Sequence, residues 1–434
     1  MSATPELVNG DSSPRPGLAY LPLELLRKIV QELHLRTDLA AFALVCRSTT
    51  LPAREALFDT LTLSDRLGPE SFRLGKTRLS PFPTLVRRLV LYRVSLLGQV
   101  PCETCRLTHL LGPRSNVQEE EMLNLSPVDL AVVLHNLPNV RSLDVSGQIT
   151  VSMPQVQSAF HSCFRMIDSL AFRPSAQDYA HESLRVLLDH CRNLTHLDLG
   201  TELVTLEDPV TPWRFAPRRL VPIPASLELP NLRRLTLRSP LYLSLSSLDL
   251  VSPVSLQRIR TVELDFTEES VGRTWKSGSM FPRDFFASFG APSSSSIEHV
   301  SFNFPLYSKR SNVETLEHAL ADLSSLRSVE LGSIASGAAS VLVGLPPTCR
   351  DISIVSADGS PDWMSLHRFF LEHDGDPALD ELSGRRIRMD PSDCTFCDEN
   401  FQRETEVRCA RLGIELIVPD GPGRGRAANI DQGV

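Results

Sequence analysis

The apolar residues of this chain recur in short segments of the form Leu-x-x-Leu-x-Leu, separated by polar and helix-forming stretches. Three clear copies end in Leu143-x-Val145, Leu197-x-Leu199 and Leu235-x-Leu237. Weaker copies end in Leu61-x-Leu63, Leu89-x-Leu91, Leu170-x-Phe172, Val262-x-Leu264, Val300-x-Phe302, Val329-x-Leu331, Ile352-x-Ile354, Ile387-x-Met389 and Ile414-x-Leu416. The interval is repeatedly about 27 residues. It is about twice that after Leu89, which predicts a degenerate copy near Met122 to Leu125.

Each unit predicts one short strand and one return segment. Side chains alternate across a strand, so the two apolar residues point into the core and the residue between them points outward. The return segments from Pro127 to Leu137, Tyr179 to Cys191 and Val313 to Leu323 have helical apolar spacing. Strands alternating with helices predict an α/β fold with a parallel, curved sheet. Several small α/β domains are the alternative, but the period persists to the C terminus.

The pattern differs before Phe58, where three helix-like segments follow one another. Pro22 suits the first turn of a helix, and Leu25, Leu26, Ile29 and Leu33 recur at three- and four-residue spacing. A second helix and a third, opened by Pro52, follow. Below about 40 residues a chain rarely folds without a staple or a partner. The apolar surplus of this stretch therefore predicts a binding partner.

This stretch resembles the F-box, a three-helix motif, in the variant found in large fungal families. The match runs through Leu21-Pro22-x-Glu24-Leu25-Leu26-x-x-Ile29, Asp38-Leu39, Leu44-Val45-Cys46-Arg47, Leu51-Pro52-Ala53-Arg54 and Leu57-Phe58. It departs in carrying Ser48, Thr49 and Thr50 where many F-boxes have a Trp. The resemblance implies docking on the Skp-family adaptor of a cullin-RING ubiquitin ligase. The adaptor-binding residues it implies are Leu21, Pro22, Leu25, Leu26, Ile29, Leu33, Leu39, Leu44 and Val45. The alternative is a helical cap that only shields the first strand of the following domain.

The remainder resembles a leucine-rich-repeat solenoid, except that the Asn or Cys expected after each strand is mostly missing. An irregular solenoid is therefore expected. The predicted organisation is a disordered tail over 1–17, an F-box over 18–60, repeats over 61–418 with insertions near 201–226 and 267–296, and a disordered tail over 419–434.

Composition places the protein among intracellular proteins, cytoplasmic or nuclear. The start of the chain shows no secretory signal, and no apolar run is long enough to span a bilayer. Nine scattered cysteines do not form a disulfide framework. A net charge of −8 argues against nucleic acid as a partner, because phosphate binding needs a clustered basic face.

Few residues suggest catalysis or metal binding. Cys102-x-x-Cys105 and Cys394-x-x-Cys397 are each half of a zinc site, but they lie about eight repeats apart and cannot converge. Asp189, His190 and Cys191 have the residue types of a nucleophile and its base, but adjacent residues on a helix do not face one another. No phosphate loop, zinc-protease motif or nucleophile elbow is present in the sequence. We expect a non-catalytic protein without metal or cofactor.

Strand alternation assigns a polar set to the concave sheet face, where it would contact a protein substrate. The predicted residues are Arg88, Tyr92, Asp144, His196, Asp198, Arg234, Arg238, Glu263, Asp265, Glu330, Arg386 and Arg388. Ordinary solvation of a sheet face explains them equally well.

The two resemblances together predict the substrate-recognition subunit of a Skp-cullin-F-box ubiquitin ligase. Its partners would be the Skp-family adaptor, through it the cullin and RING subunits, and a target protein bound to the repeats. An adaptor-bound scaffold acting outside ubiquitin ligation is the alternative.

Overall fold

The structure is a computed structural model that describes most of the periodic part of the chain. The described residues are 18, 21–33, 35–63, 83–97, 123–125, 127–150, 164–174, 181–200, 226–238, 250–265, 286, 289, 295–302, 310–332, 341–355, 363–375, 377–389 and 399–417. Both predicted tails, the insertion over 201–226 except its last residue, and most of the insertion over 267–296 lie outside these residues.

Three helices come first, and thirteen strands with further helices between some of them follow along the described part of the chain. The helices are α1 Leu23–Gln31, α2 Arg36–Ala43, α3 Arg47–Phe58, α4 Pro127–His135, α5 His181–His190, α6 Pro253–Leu256, α7 Arg310–Ala321, α8 Trp363–Glu372 and α9 Glu399–Arg411, with 3-10 turns at Pro83–Leu85 and Pro377–Leu382. The strands are β1 Thr60–Leu63, β2 Arg88–Leu97, β3 Leu123–Leu125, β4 Ser142–Thr150, β5 Ser169–Pro174, β6 His196–Leu199, β7 Arg234–Arg238, β8 Thr261–Asp265, β9 His299–Phe302, β10 Ser328–Gly332, β11 Asp351–Val355, β12 Arg386–Met389 and β13 Glu415–Ile417. The predicted helical returns are α4, α5 and α7.

Twelve strands form one parallel path in the order β1-β2-β4-β5-β6-β7-β8-β9-β10-β11-β12-β13. The apolar pairs align from strand to strand, as in Leu197 opposite Leu235 and Leu199 opposite Leu237. This register follows from burial, because a slip of one residue would turn every apolar side chain outward. The α/β, solenoid-like architecture predicted from the repeat is therefore confirmed.

The predicted degenerate copy is present as an incomplete unit, and one predicted register is wrong. The segment Leu123–Leu125 is a strand, but it pairs with the far end of β2 at Val94 and does not separate β2 from β4. In the last unit Leu416 lies opposite Ile387, so Ile414 precedes the strand instead of forming its first apolar position. A short apolar pattern predicts a strand, whereas its pairing depends on which neighbour has a free edge.

The core lies between the apolar sheet face and the return segments. The inward residues of the strands and the apolar residues of the helices form a single buried cluster that runs from Leu63 to Ile414. In a solenoid each unit buries its apolar residues against its neighbours, which makes stability a sum of nearest-neighbour terms.

Side chains also connect successive units just before the strands. The Asn139 amide donates to the Thr84 carbonyl at 2.6 Å, and the Asn193 amide donates to the Arg165 carbonyl at 2.7 Å. Thr348 makes the equivalent bond to the Ser324 carbonyl at 3.0 Å. These side-chain bonds between units thus lie just before the strands, whereas an Asn ladder was expected just after them.

The first three helices form a small unit with its own packing. Leu26, Val30, Leu39 and Ala53 are buried there and are not part of the long repeat core. Helix α3 begins at Arg47, so the prediction that Pro52 opens it is wrong; Pro52 is buried inside the helix. Helix α3 leads directly into β1 through Asp59, whose carbonyl accepts hydrogen bonds from the next unit.

Candidate functional site: two interaction surfaces

The three-helix unit exposes a concentration of large apolar side chains, which we call the apolar patch. Its members are Leu25, Leu35, Leu44, Val45 and Leu51. Leu44 is 87% exposed and Val45 is 57% exposed, in the turn between α2 and α3. With Leu18, half of the twelve exposed large apolar residues of the described chain fall within residues 18–51. Large apolar side chains that are concentrated in one exposed part of a protein often mark an interaction site.

The predicted adaptor-binding residues divide into three groups by exposure. Pro22, Leu25, Leu44 and Val45 are exposed, and Leu21, Ile29 and Leu33 are partly exposed. Leu26 and Leu39, in contrast, are buried among the three helices. Their side chains cannot reach a partner in this conformation, and we remove both from the predicted contact set as a correction.

Threonines set the shape of the turn that presents Leu44 and Val45. The Thr49 hydroxyl accepts a hydrogen bond from the Cys46 N–H at 3.2 Å and closes the beginning of α3. The Thr50 hydroxyl donates to the Ala43 carbonyl at 3.0 Å and ties α3 to the end of α2. These residues stand where many F-boxes carry Trp, and here they fix the turn by capping.

An ion pair joins the outer helices of the unit. The Arg27 guanidinium contacts the Glu55 carboxylate through two hydrogen bonds of 2.9 and 3.0 Å. The bidentate geometry fixes α1 against α3, although an exposed pair contributes little to stability.

Leu35 and Leu51 also belong to the apolar patch, and sequence reasoning missed them. Leu35 and Leu51 are flanked by polar residues or proline, and each lies one position before or near the start of a helical segment rather than on an apolar stripe.

The second surface is the polar face of the sheet, where alternating charges form a continuous chain across six strands. We call this chain the ion-pair ladder; its members in order are Arg88, Asp144, Arg173, Asp198, Arg238 and Asp265. Asp144 contacts Arg88 at 3.3 Å and Arg173 at 3.5 Å. Asp198 contacts Arg173 at 2.8 Å and the Arg238 Nε atom at 3.0 Å. Asp144 and Asp198 are each shared by two arginines, and Asp265 ends the ladder at Arg238.

The carboxylates and guanidinium groups of the ladder differ in depth. The side chains of Asp144 and Asp198 are each only 7% exposed, whereas those of Arg173 and Arg238 are 29% and 38% exposed. A short Asp stays near the sheet, and a long Arg covers it. We therefore correct the prediction that Asp144 and Asp198 contact a ligand directly. A ligand on this face would meet the arginines.

Gly200 makes room for the ladder. It follows β6 directly and occupies the position between Arg173 and Arg238 in neighbouring strands. A Cβ atom added at Gly200 would lie 2.9 Å from the Arg238 Cβ atom, which is closer than real Cβ contacts come. The missing side chain therefore allows both arginines to converge on Asp198.

His196 lies beside the ladder in a second polar group. Its ring nitrogens are 3.3 Å from the Ser169 hydroxyl and 3.0 Å from the Thr236 hydroxyl. Thr236 donates to Glu263 at 2.9 Å, and Glu263 pairs with Arg234. Burial lowers the pKa of His196, and the Arg234 charge lowers it further, against smaller opposing effects from Asp198 and Glu263. The imidazole is a neutral hydrogen-bonding group near pH 7.

The remaining predicted face residues do not join these groups. Glu330 accepts a hydrogen bond from Ser301 at 3.1 Å, and Arg386 pairs with Asp351 at 2.6 Å. Arg388 is exposed on β12, and Tyr92 is exposed within the irregularity of β2, between Leu91 and Val94. The polar face thus has one dense charged group over β2 to β8 and separate polar contacts beyond it.

The described cysteines are packing residues or caps. Cys191, Cys349 and Cys409 are buried, and burial raises the pKa of Cys349 and of Cys409 to about 12. Burial also raises the pKa of Cys191. The pairs Cys102/Cys105 and Cys394/Cys397 lie outside the described residues. Within the described part of the chain, no group of three or more His, Cys, Asp or Glu residues is arranged to hold a metal ion.

Comparisons with known proteins leave the family open. No protein-family model matches the chain, and no curated protein matches its sequence. A solved leucine-rich-repeat protein of Leptospira interrogans aligns over 92% of this chain and 99% of its own length, at 10% identity and a TM-score of 0.21. That similarity is too low to support any conclusion, so the architecture rests on the strand order and register described above.

Those features define a class. The protein is a solenoid-like α/β fold in which a long parallel sheet follows a three-helix unit. In the described part of the chain no helix has the length and apolar character needed to cross a membrane.

Proposed function

We propose that this protein is the substrate-recognition subunit of a Skp-cullin-F-box ubiquitin ligase. The observation that carries the proposal is the apolar patch on a three-helix unit whose sequence resembles the F-box. A helical unit that merely capped the first strand would bury its apolar residues against the repeats. Here Leu44 and Val45 extend into solvent, and the main contacts of the three-helix unit with the repeats are made by α3.

The energetics favour a partner on this patch. Burying apolar surface contributes about 25 cal/mol per Å², and interface energy concentrates in a few central residues. Leu44 and Val45 are adjacent, and Thr49 and Thr50 hold their turn in place. Because the turn is already ordered, a partner would bind it with little loss of conformational freedom.

The proposed mechanism is proximity. The F-box-like unit would attach the chain to the adaptor and so to the cullin and RING subunits, while the repeats hold a target protein. The ligase would then work by raising the effective concentration of the target near a ubiquitin-charged enzyme. This division needs no reacting group in the chain.

Adaptor binding is tested with a double variant, Leu44→Ala with Val45→Ala. We expect it to weaken co-purification with a Skp-family adaptor by about thirtyfold to about a thousandfold, the effect of losing two central apolar contacts. The matched control is Leu371→Ala with Val407→Ala, which removes one Leu and one Val that are 48% and 57% exposed on α8 and α9. Equal adaptor binding by the two double variants would refute the assignment.

The scaffold alternative is separated by a second measurement. In an assembly of the chain with adaptor, cullin, RING subunit and charged enzyme, a partner captured by the repeats should become ubiquitinated. If a partner binds the repeats of the adaptor-bound chain but is not ubiquitinated, that result would favour the scaffold alternative.

A further inference from the structure

Arginines collect along one edge of the sheet, in the short segments that lead into the strands. The nine approach segments that lead into β2 and β4 to β11 are 84–87, 138–141, 165–168, 192–195, 230–233, 257–260, 295–298, 324–327 and 347–350. They contain two acidic residues, Asp168 and Glu298, and nine arginines, which we call the basic rim. The rim consists of Arg87, Arg141, Arg165, Arg192, Arg233, Arg258, Arg260, Arg327 and Arg350, and all nine are exposed. In a chain of net charge −8 this is a strong segregation of charge.

The fold stacks these arginines in register. The Arg141 N–H donates to the Arg87 carbonyl at 2.8 Å, and the Arg350 N–H donates to the Arg327 carbonyl at 2.9 Å. Arg260 bonds to Arg233 in the same way, at 2.8 Å. Three pairs of arginines therefore lie in adjacent units, about 4.8 Å apart along the sheet. Like charges opposite one another in a sheet are unfavourable, so a bound anion would relieve their repulsion.

Little of this charge is neutralised within the described chain. Arg260 lies 3.4 Å from Glu298, and Arg233 and Arg258 contact the Pro230 carbonyl. Those carbonyl contacts hold the two guanidinium groups at the edge of the sheet without cancelling their charge. The rim is distinct from the ion-pair ladder, where each arginine already contacts a carboxylate.

We propose that the basic rim binds an extended acidic segment of a partner protein. From β2 to β11 the rim extends over eight strand intervals, about 38 Å, which matches about twelve residues of extended chain at 3.3 Å per residue. Arginine forks suit carboxylates, and an extended peptide presents them on alternate residues. Nucleic acid fits less well, because these approach segments contain no aromatic residue for base stacking. This binding does not depend on the adaptor.

The test uses the full chain and a fluorescein-labelled peptide of twelve glutamates, measured by fluorescence anisotropy. We expect binding at about 50 mM salt that weakens at about 300 mM salt, since exposed charges are screened. Arg327→Gln with Arg350→Gln should weaken it about fivefold, the effect of two exposed ion pairs. Arg87→Gln with Arg141→Gln should act similarly at the other end of the rim.

The matched control is Arg368→Gln with Arg403→Gln, two exposed arginines on α8 and α9 that change the net charge by the same amount. It should bind the peptide within about twofold of the unmodified chain. Three results would overturn the proposal: no peptide binding at low salt, equal weakening by rim and control variants, or tighter binding of a twelve-nucleotide oligothymidylate than of the peptide. Adaptor binding is measured separately. A chain that does not bind the peptide can therefore still bind the adaptor, and a chain that does not bind the adaptor can still bind the peptide.

Discussion

Asp198 is the carboxylate on which the ion-pair ladder converges, and Asp198→Asn tests whether the ladder is a structural element of the sheet. The substitution keeps the volume and removes the charge. It leaves two arginines, from β5 and β7, facing a neutral amide in place of a carboxylate at 2.8 to 3.1 Å. One amide oxygen can still accept a hydrogen bond, so the principal loss is electrostatic.

The magnitude follows from burial and from the remaining partners. Removing one partner of a fully buried ion pair costs about 3 to 5 kcal/mol. Arg173 and Arg238 are partly exposed, and each retains a second carboxylate in Asp144 and Asp265. Solvent screening and these partners reduce the expected loss to about 2 kcal/mol. That is about a thirtyfold change in the local opening equilibrium.

The assay must report local stability, because a solenoid is stabilised unit by unit. Hydrogen exchange measured by mass spectrometry should show faster exchange over residues 196–199 and 234–238, with no change over 386–389. Asp168→Asn is the control, since it makes the same substitution one unit earlier at a carboxylate with no described side-chain partner. The structural role of the ladder would be refuted if the two variants exchanged equally. It would also be refuted if a double-mutant cycle of Asp198→Asn with Arg238→Gln showed no coupling.

Two further predictions concern the same region. Gly200→Ala should lower the free energy of unfolding by about 1 kcal/mol, because its Cβ displaces Arg238, and the loss should be less than additive with Asp198→Asn in urea denaturation. The folded-state pKa of His196 is lowered, so its contribution to stability is complete above the unfolded pKa of about 6.5 and decreases as the pH falls below it. His196→Gln should therefore make the midpoint of urea denaturation less sensitive to pH between about 7 and about 5.5. The Arg234, Asp198, Glu263 and Arg238 charges that act on the ring remain in place in this variant. If the midpoint depended on pH as steeply as in the unmodified chain, the prediction would be wrong.

The strands were predictable from the sequence because their cause is local. An apolar residue on each side of a polar one makes a two-faced segment, and repetition at one period lets each segment pair with the next. The helices α4, α5 and α7 were predictable for the same reason, through their apolar spacing. The off-path strand β3 has a similar pattern, yet its pairing depended on the free half of β2.

Exposure within the helical unit was not predictable in the same way. Leu25 and Leu26 are adjacent and chemically identical, but one is exposed and the other is buried. Periodicity identifies an apolar stripe and cannot state which part of it the neighbouring helices cover. That division depends on how α1 crosses α3, which the Arg27–Glu55 contact helps to define.

By itself, the sequence determined the alternation of strand and return, the parallel order and the set of polar side chains on the sheet face, because these follow from side-chain periodicity. Only the tertiary structure decided how the charges on that face are arranged. A mixed list of acids and bases became a ladder of covered carboxylates beneath exposed arginines, because Asp is short and Arg reaches across a strand. The same stacking placed nine scattered arginines on one edge, since units far apart in sequence repeat at about 4.8 Å in the sheet.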